Sequence, residues 1–178
     1  MTFAVRRCQV RDVLRLSDLL KVCWHSTYDQ ILGQRQAIRS GRRAYSKFNL
    51  GLLIAQSLVS RASTVLVATE DHIPVGYAMA QRDDAAEIVL YGLYVHPEWK
   101  GKGVGSALLD AAIAKYPEAK VIRLEVLKDN AAAIAWYQAK GFESYGETKN
   151  ATGTTNTAAL YMDKKLDRIS GSAASTMR

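Results

Sequence analysis

The stretch Leu93–Ser106, LYVHPEWKGKGVGS, decides the fold of this chain. It joins an apolar segment to an amphipathic helical pattern through a loop with glycine at alternate positions, namely Gly101, Gly103 and Gly105. The first backbone N–H groups of a helix have no partners within the helix, and together with the helix dipole they favour an anion. Glycines lack the Cβ that would block close approach of the main chain to such a ligand. The stretch therefore predicts a strand, a pyrophosphate-binding loop and a helix.

Two other kinds of glycine-rich site are excluded by spacing. The chain contains no G-x-x-x-x-G-K-[ST] string, which excludes a P-loop. A dinucleotide-binding fingerprint requires Gly or Ala at its last position, but counting from Gly101 that position is Ser106, and counting from Gly103 it is Leu108. For the loop alone, a tight strand-to-helix turn without a ligand stays open as an alternative.

A second block downstream, LEVLKDNAAAIAWYQAKGF, runs from Leu124 to Phe142. Together the two blocks resemble the GNAT superfamily of acetyl-CoA-dependent N-acetyltransferases, whose motifs are [RQ]-x-x-G-x-[GA] and N-x-x-A-x-x-x-Y-x-x-x-G-F. The first motif corresponds to Lys100 to Gly105, where lysine replaces the usual Arg or Gln and keeps the charge without the planar fork or amide. The second motif corresponds to Asn130, Ala133, Tyr137, Gly141 and Phe142.

The resemblance implies an α/β (α+β) fold with one N-acetyltransferase domain over residues 1–166 and a flexible C-terminal tail over 167–178. It implies a mixed, mostly antiparallel central sheet of about seven strands, splayed at the fourth strand and flanked by about four helices. Apolar periodicity and turn residues agree with this order. Strands are predicted at Phe3–Val10, Thr64–Thr69, Val75–Gln81, Glu87–Val95, Val121–Leu127, Phe142–Lys149 and Ala158–Lys164. Helices are predicted at Asp12–Tyr28, at Ala44–Val59, from Val104 until Pro117, and at Asn130–Lys140.

Gly92 interrupts the fourth predicted strand, and glycine inside a strand often marks a bulge or the close approach of a ligand. A plain bulge is one interpretation. The resemblance implies instead that pantetheine lies in a gap beside this strand, where one backbone N–H would polarise the thioester carbonyl. The residues expected to bind acetyl-CoA are Leu93, Tyr94, Val95, Lys100, Gly101, Lys102, Gly103, Val104, Gly105, Ser106, Asn130 and Tyr137.

Two side chains are candidates for proton transfer. By its family position Tyr137 would be the general acid, because a phenol of pKa ~10 can protonate the departing CoA thiolate. Glu125 is the candidate general base, since it places a carboxylate inside an otherwise apolar strand. The alternatives are that Tyr137 packs in the core with Ala133 and Ile134, and that Glu125 faces solvent or pairs with Arg123.

The acceptor decides how much a base is needed. Deprotonating a lysine-like amine of pKa ~10.4 near neutral pH costs ~4 kcal/mol, whereas an α-amine near pKa ~7.8 costs under ~1 kcal/mol. Trp24, His25 and Tyr28 are the candidate acceptor-binding residues. Cys8 and Cys23 form no base-paired nucleophile pattern, so we expect direct transfer in a ternary complex. The three His are scattered, and no metal is implied.

Charge is unevenly distributed along the chain. The formal net charge is +7, and residues 1–61 hold eleven Lys or Arg against three Asp. Five of these cations lie in QRQAIRSGRRAYSK, and they are Arg35, Arg39, Arg42, Arg43 and Lys47. A solvated face is the simplest interpretation. The resemblance implies that the first two helices line the acceptor side, where a basic rim would favour acidic acceptors and disfavour polyamines. Nucleic-acid binding lacks a recognition motif.

Composition agrees with one enzyme domain. The chain has 178 residues with 48% hydrophobic and 23% charged residues, as in an ordinary globular domain. No apolar run reaches the roughly 18 residues that a membrane span needs, and the first residues lack a signal-peptide pattern, so we expect a cytoplasmic protein. The amine acceptor could be a protein N-terminus, a lysine or a small molecule. A catalytically silent CoA-binding sensor and a homodimer, which is common in the family, remain open.

Overall fold

The computed structural model describes residues 2–33, 46–84, 86–149 and 157–166. The strands in them are β1 (Ala4–Arg7), β2 (Ser63–Glu70), β3 (Ile73–Arg82), β4 (Glu87–Val95), β5 (Val121–Leu127), β6 (Glu143–Thr148) and β7 (Ala159–Lys165). The helices are α1 (Val13–Leu32), α2 (Lys47–Val59), α3 (Val104–Ala114) and α4 (Ala131–Ala139). The strands form a seven-stranded sheet in the order β1-β2-β3-β4-β5-β7-β6.

The sheet is antiparallel except at its centre, where β4 and β5 run parallel. This parallel pairing covers only Glu87–Leu90 against Val121–Leu124. Strand β4 stays paired with β3 as far as Val95, so residues 91–95 have an open edge on the side of β5. The predicted fold class and the splay at the fourth strand are therefore confirmed.

A bulge marks the start of this splay. Met79 of β3 faces Gly92, whereas the next residue, Ala80, faces Leu90, which leaves Tyr91 as the extra residue on β4. Bulges bend a strand and increase its twist. A Cβ on Gly92 would lie only 3.2 Å from Cε2 of Tyr94. The irregularity predicted at Gly92 is confirmed, and glycine is the residue that fits there.

Helices cover both faces of the sheet. Helix α3 packs on one face through Val104, Leu108, Leu109 and Ala112, which contact a core that includes Leu66, Ala68, Ala78 and Ala80. Helices α1 and α2 cover the other face of the first strands through Leu16, Leu20, Leu50 and Ile54, packed with Val65, Val67 and Tyr77. Each helix thus buries one apolar face against the sheet, as its periodicity predicts.

The first strand is shorter than predicted, because β1 ends at Arg7 rather than at Val10. The carboxylate of Asp12 accepts hydrogen bonds at 2.7 and 2.8 Å from the guanidinium of Arg6 and one at 2.8 Å from the backbone N–H of Gln9. These bonds close a 3-10 turn, Val10–Asp12, which takes the chain out of the sheet. The hydrogen bond from Arg6 also lowers the pKa of Asp12.

The first helix is longer than predicted, because α1 continues from Tyr28 to Leu32. Its last turn packs against Leu127 of β5 and Ala159 of β7, and such tertiary burial supplies most of the stability of a helical segment. Gly33, with φ of 75°, ends the helix. The extension matters because it holds Tyr28 over the splayed strands.

The other predicted boundaries of strands and of α4 lie within about two residues of the observed ones. Helix α3 ends at Ala114, before the predicted limit at Pro117. Helix α2 begins at Lys47, against a predicted start at Ala44, and Ser46 is its N-cap. The arginines predicted to form a basic rim and the predicted tail over 167–178 lie outside the described residues. None of the described helices is both long enough and apolar enough to cross a membrane.

Gly76 on β3 permits the close seating of α3. A Cβ there would lie 2.8 Å from Cδ1 of Leu108 and 2.8 Å from Cγ1 of Val104. We expect Gly76→Ala to lower the free energy of unfolding by about 1–3 kcal/mol, because both side chains must move at once. Urea unfolding measures the loss.

Gly51→Ala is the matched control. A Cβ at Gly51 would make only an ordinary contact, 3.9 Å from Cγ2 of Val13. Since the residue is helical, alanine should raise the free energy of unfolding by about 0.5–1 kcal/mol. Equal losses in the two variants would contradict the role given to Gly76.

Candidate functional site

A cleft of about 490 Å³ lies where β4 separates from β5. Its volume is in the range of small-molecule sites, roughly 300–1,000 Å³. It is walled by the open edge of β4, the glycine loop before α3, the first turns of α4 and the second half of α1. The predicted site residues that line it are Tyr28, Leu93, Tyr94, Val95, Lys100, Gly101, Gly103, Gly105, Ser106, Glu125, Asn130 and Tyr137.

Two residues predicted to bind the cofactor do not belong to the described lining. The ammonium of Lys102 lies 5.1 Å from the centre of the Trp99 ring. The side chain of Val104 is buried in the core beneath α3. Its backbone N–H is at the first position of α3 and has no carbonyl one turn earlier in the helix.

Of the three residues predicted to bind the acceptor, one lines the cleft. Tyr28 lines the cleft, and the ring of Trp24 packs against it at 4.2 Å between centroids. His25 is half-buried, with Nδ1 2.9 Å from a carboxylate oxygen of Asp29. Neither Trp24 nor His25 is among the described residues of the cleft wall. Their role in binding the acceptor therefore stays a prediction.

The glycine loop forms an open cradle at the start of α3. Gly101 and Gly103 have φ of 76° and 82°, a left-handed conformation that favours glycine, and a Cβ at either position would meet no atom within 4 Å. The N–H of Ala107 donates to the carbonyl of Gly103 at 3.0 Å. The three N–H groups before it therefore have no carbonyl one turn earlier in the helix. Open space bordered by such N–H groups fits a diphosphate.

Gly105 brings α3 close to α4. A Cβ there would lie 3.3 Å from Cζ2 of Trp136 and 3.6 Å from Cγ2 of Val95. Trp136, which was not among the predicted site residues, also lines the cleft. The third glycine of the loop thus serves helix packing, whereas the first two serve the open cradle.

Glu125 is the one acidic side chain and Lys100 the one basic side chain among the described residues of the cleft wall. Glu125 is half-buried and follows Leu124, the last residue of β5 paired with β4. Arg123 forms a two-point ion pair with Glu87, at 2.6 and 2.5 Å. This ion pair joins β4 to β5 below the splay, so the side chain of Arg123 has a carboxylate partner other than Glu125.

Tyr137 faces the cleft and packs at the same time. Its ring makes edge contacts with Trp136 and Phe142, at 5.1 and 5.3 Å between centroids. Burial raises the pKa of Tyr137, and the nearby Tyr28 adds to this shift. The phenol therefore keeps its proton at neutral pH. The ring therefore packs in the core and also lines the cleft, and its role as the general acid stays a prediction.

The N-terminus of α4 connects several of these groups. Asn130 caps the helix, because its side-chain oxygen accepts a hydrogen bond of 3.2 Å from the N–H of Ala133. The Tyr28 hydroxyl is hydrogen-bonded with the side chains of Asn130 and Tyr94, and these bonds partly oppose the rise in the pKa of Tyr28 that burial causes. A side chain from α1 is thereby joined to both β4 and α4.

Cys23 and Thr27 line the cleft although the sequence did not single them out for it. They are four residues apart on α1 and so share a helix face, which was the available signal. Burial raises the pKa of the Cys23 thiol to about 12, with the charge of Lys100 opposing. A thiol that stays protonated is a poor nucleophile at neutral pH. Within the described part of the chain, no three His, Cys, Asp or Glu side chains are grouped to hold a metal ion.

Comparisons with known proteins agree with this geometry. The model of the acetyltransferase (GNAT) family matches residues 19–142. The N-alpha-acetyltransferase RimI of Mycobacterium tuberculosis is 31% identical over 107 residues, which is 58% of this chain and 58% of that relative's length. The spermidine N(1)-acetyltransferase of Thermoplasma acidophilum is 27% identical over 145 residues, 80% of this chain and 89% of that relative.

A solved structure extends the comparison to the whole fold. It is the PaiA N-acetyltransferase from Thermoplasma acidophilum in complex with coenzyme A, which superposes with a TM-score of 0.82 at 25% identity and covers 93% of this chain and 100% of that one.

The cradle can be tested by substituting Gly103. We expect Gly103→Val to weaken binding of coenzyme A at least about tenfold, because the side chain fills the open space where diphosphate oxygens would lie. Gly33→Val is the matched control: Gly33 also has positive φ, at 75°, and no atom within 4 Å of a Cβ. It does not belong to the described cleft wall.

Gly103→Val should lose about 1–2 kcal/mol of stability from the left-handed backbone, and Gly33→Val at least as much, because a φ of 75° with a ψ of 143° lies outside the left-handed helical region. Calorimetric titration with coenzyme A then separates them. Unchanged affinity in Gly103→Val, or an equal loss of affinity in the Gly33 control, would contradict the cradle.

Proposed function

This chain belongs to the acetyltransferase (GNAT) family, and on that premise we propose that it transfers the acetyl group of acetyl-CoA directly to an amine in a ternary complex. The observation that supports the proposal best is that one cleft contains the open edge of β4, the glycine cradle, Glu125 and Tyr137. A CoA-binding sensor would use the first two features. It would have no need of a carboxylate and a phenol beside the same strand edge, so turnover is favoured.

The donor would be held mainly by the backbone. N–H groups at the start of α3 and the charge of Lys100 would hold the diphosphate of acetyl-CoA. Along Leu93–Val95 the strand directs the N–H and C=O groups of alternate residues to its open side, so pantetheine could pair there as an additional strand would. One of these N–H groups would polarise the thioester carbonyl, which acetyl-CoA supplies as the electrophile.

Tyr137 would supply the proton that the departing sulfur needs. As the amine nitrogen bonds to the carbonyl carbon and the carbon–sulfur bond breaks, sulfur would otherwise leave as a thiolate. Proton transfer from Tyr137 moves this negative charge from sulfur to the phenolate oxygen. Burial raises the pKa of Tyr137, so the phenol is protonated at neutral pH when the donor binds, and the same shift makes the phenolate a strong base. The phenolate would regain its proton from water or from the carboxylic acid of Glu125, which holds the proton that the amine lost.

Glu125 would take the proton that the amine loses. The two relatives named above act on different acceptors by their names, an N-alpha group and spermidine, so they do not select one. One carboxylate in the described cleft wall and a basic N-terminal third of the chain favour an acceptor with a single amine. We therefore rank a protein N-terminus, a lysine or an amino-acid-like molecule above a polyamine.

The proposal is tested by following thiol release from acetyl-CoA with a panel of amines: N-terminal peptides, lysine peptides, amino acids and polyamines. We expect release that depends on the amine, and a product heavier by one acetyl group in mass spectrometry. Binding of coenzyme A without amine-dependent release for any acceptor would overturn the proposal in favour of the sensor.

Substituting the proposed acid gives a second test. Tyr137→Phe should lower kcat by about 10² to 10⁴, the usual contribution of a positioned acid, and leave the affinity for coenzyme A unchanged because the ring remains. Tyr145→Phe is the matched control, since Tyr145 is 55% exposed and stacks on Tyr161 outside the described cleft wall. Steady-state kinetics with the best acceptor decide. Unchanged turnover in Tyr137→Phe would remove this residue from the mechanism.

The role of Glu125 predicts a dependence on the acceptor. Glu125→Gln should reduce kcat/KM strongly for a lysine-like amine, for which deprotonation costs ~4 kcal/mol near neutral pH, and weakly for an α-amine, for which it costs under ~1 kcal/mol. Raising the pH should restore activity toward the alkyl amine, because more of it is then neutral. Equal losses for both acceptors at every pH would contradict a general base.

A further inference from the structure

A second pocket, of about 440 Å³, lies where α1 begins. Its volume is in the range of small-molecule sites. It lies between β1, the 3-10 turn before α1, the first turn of α1 and the turn that joins β2 to β3. The residues that line this arginine pocket are Arg6, Arg11, Asp12, Arg15 and His72. None of them belongs to the described wall of the cleft, so a ligand in the arginine pocket would leave the cleft free.

The arginine pocket has more positive than negative charge. The one carboxylate in its described lining, Asp12, already accepts two hydrogen bonds from Arg6 and one from the backbone N–H of Gln9. Among the described residues, no carboxylate forms an ion pair with Arg11 or Arg15. Two exposed guanidinium groups therefore line the pocket without a carboxylate of the described chain to balance them.

This arrangement of charge disfavours the folded chain when nothing is bound. The backbone at Asp12 is helical, with φ of −79° and ψ of −15°, so the 3-10 turn runs directly into α1. Arg11 and Arg15 are four residues apart along this path, and like charges at that spacing repel each other. Both also lie near the N-terminal end of α1, where the helix dipole disfavours cations. An anion bound between them would offset both effects.

The turn between β2 and β3 brings a histidine to the same pocket. Glu70 pairs with Ile73, so the turn has two residues, Asp71 and His72, with φ of 44° and 66°. Glycine is usual in such turns, because both central residues need positive φ. Nη1 of Arg15 donates to the backbone carbonyl of His72 at 3.4 Å, which connects the turn to α1. Asp71 does not belong to the described lining of the pocket.

We propose that the arginine pocket is a binding site for a phosphate group carried by a small molecule. A guanidinium can bind phosphate through two parallel hydrogen bonds, and an imidazole adds a further donor. Arg11, Arg15 and His72 would supply these donors, while Arg6 stays with Asp12. The volume of the pocket leaves room for the molecule that carries the phosphate. Because the pocket and the cleft have no described residue in common, this inference does not depend on the proposed acetyl transfer.

The test is calorimetric titration with inorganic phosphate and with glycerol 3-phosphate. Saturating coenzyme A is present, so that the glycine cradle is filled and does not bind the probes. We expect both probes to bind, glycerol 3-phosphate at least as tightly as inorganic phosphate. Arg11→Gln should weaken the binding of both about tenfold, as for one lost charged hydrogen bond. Arg61→Gln is the matched control, since Arg61 is exposed and lies outside the described lining of both pockets.

Thermal unfolding gives a second measurement. Without phosphate, Arg11→Gln should unfold at the same temperature as the unsubstituted protein or at a higher one, because repulsion with Arg15 is relieved. With phosphate the order should reverse, since a ligand that binds the folded state stabilises it in proportion to its affinity. If Arg11→Gln does not fold, Arg15→Lys replaces it. Lysine keeps the charge without the planar fork and should also weaken phosphate binding.

Three results would overturn the site. The first is the absence of phosphate binding by the unsubstituted protein. The second is an equal loss of binding in Arg11→Gln and Arg61→Gln, which would indicate a general attraction of anions to a basic protein. The third is tighter binding of citrate than of either phosphate probe, which would assign the arginine pocket to carboxylates instead.

Discussion

The separation of β4 from β5 is the constraint on which the rest of the structure depends. Pairing between them stops at Leu90 and Leu124, and the ion pair between Glu87 and Arg123 holds the strands together below that point. Above it, the extra residue Tyr91 turns the end of β4 away. The unpaired backbone edge that results would be a liability on a free surface. Here it faces a cleft, and in the proposed function it pairs with the acetyl donor.

Small residues determine how closely the cleft walls approach. Gly76 lets α3 rest on β3, and Gly105 lets its first turn approach Trp136 of α4. In both places a Cβ would force neighbouring side chains to move. Gly101 and Gly103 act differently, since a Cβ there would have free space and the need is for positive φ. One glycine-rich stretch therefore combines tight packing with an open cradle.

Burial gives the cleft its chemical character. The pKa values of Tyr28, Tyr137 and Cys23 are all raised, chiefly because their charged forms would lose water. Two phenols and a thiol thus remain neutral in the pH range in which an amine loses its proton. Glu125, beside the splayed edge, is the acidic group in the described cleft wall. In the proposed mechanism, donation and removal of protons therefore belong to different side chains.

The sequence by itself determined the local elements of this protein, namely the strand, loop and helix around Leu93–Ser106 and the irregularity at Gly92, while the splayed sheet was implied by the family resemblance. These depend on backbone geometry and on periodicity over a few residues, which neighbouring side chains specify. Only the tertiary structure decided that α1 continues past Tyr28 and that Cys23 and Trp136 face the cleft. It also decided that Lys102 lies over the ring of Trp99 and does not line the cleft. The first two facts depend on how segments far apart in the chain pack on one sheet, and no local pattern contains that information. The third depends on the path of the loop, which brings Lys102 over a ring only three residues earlier.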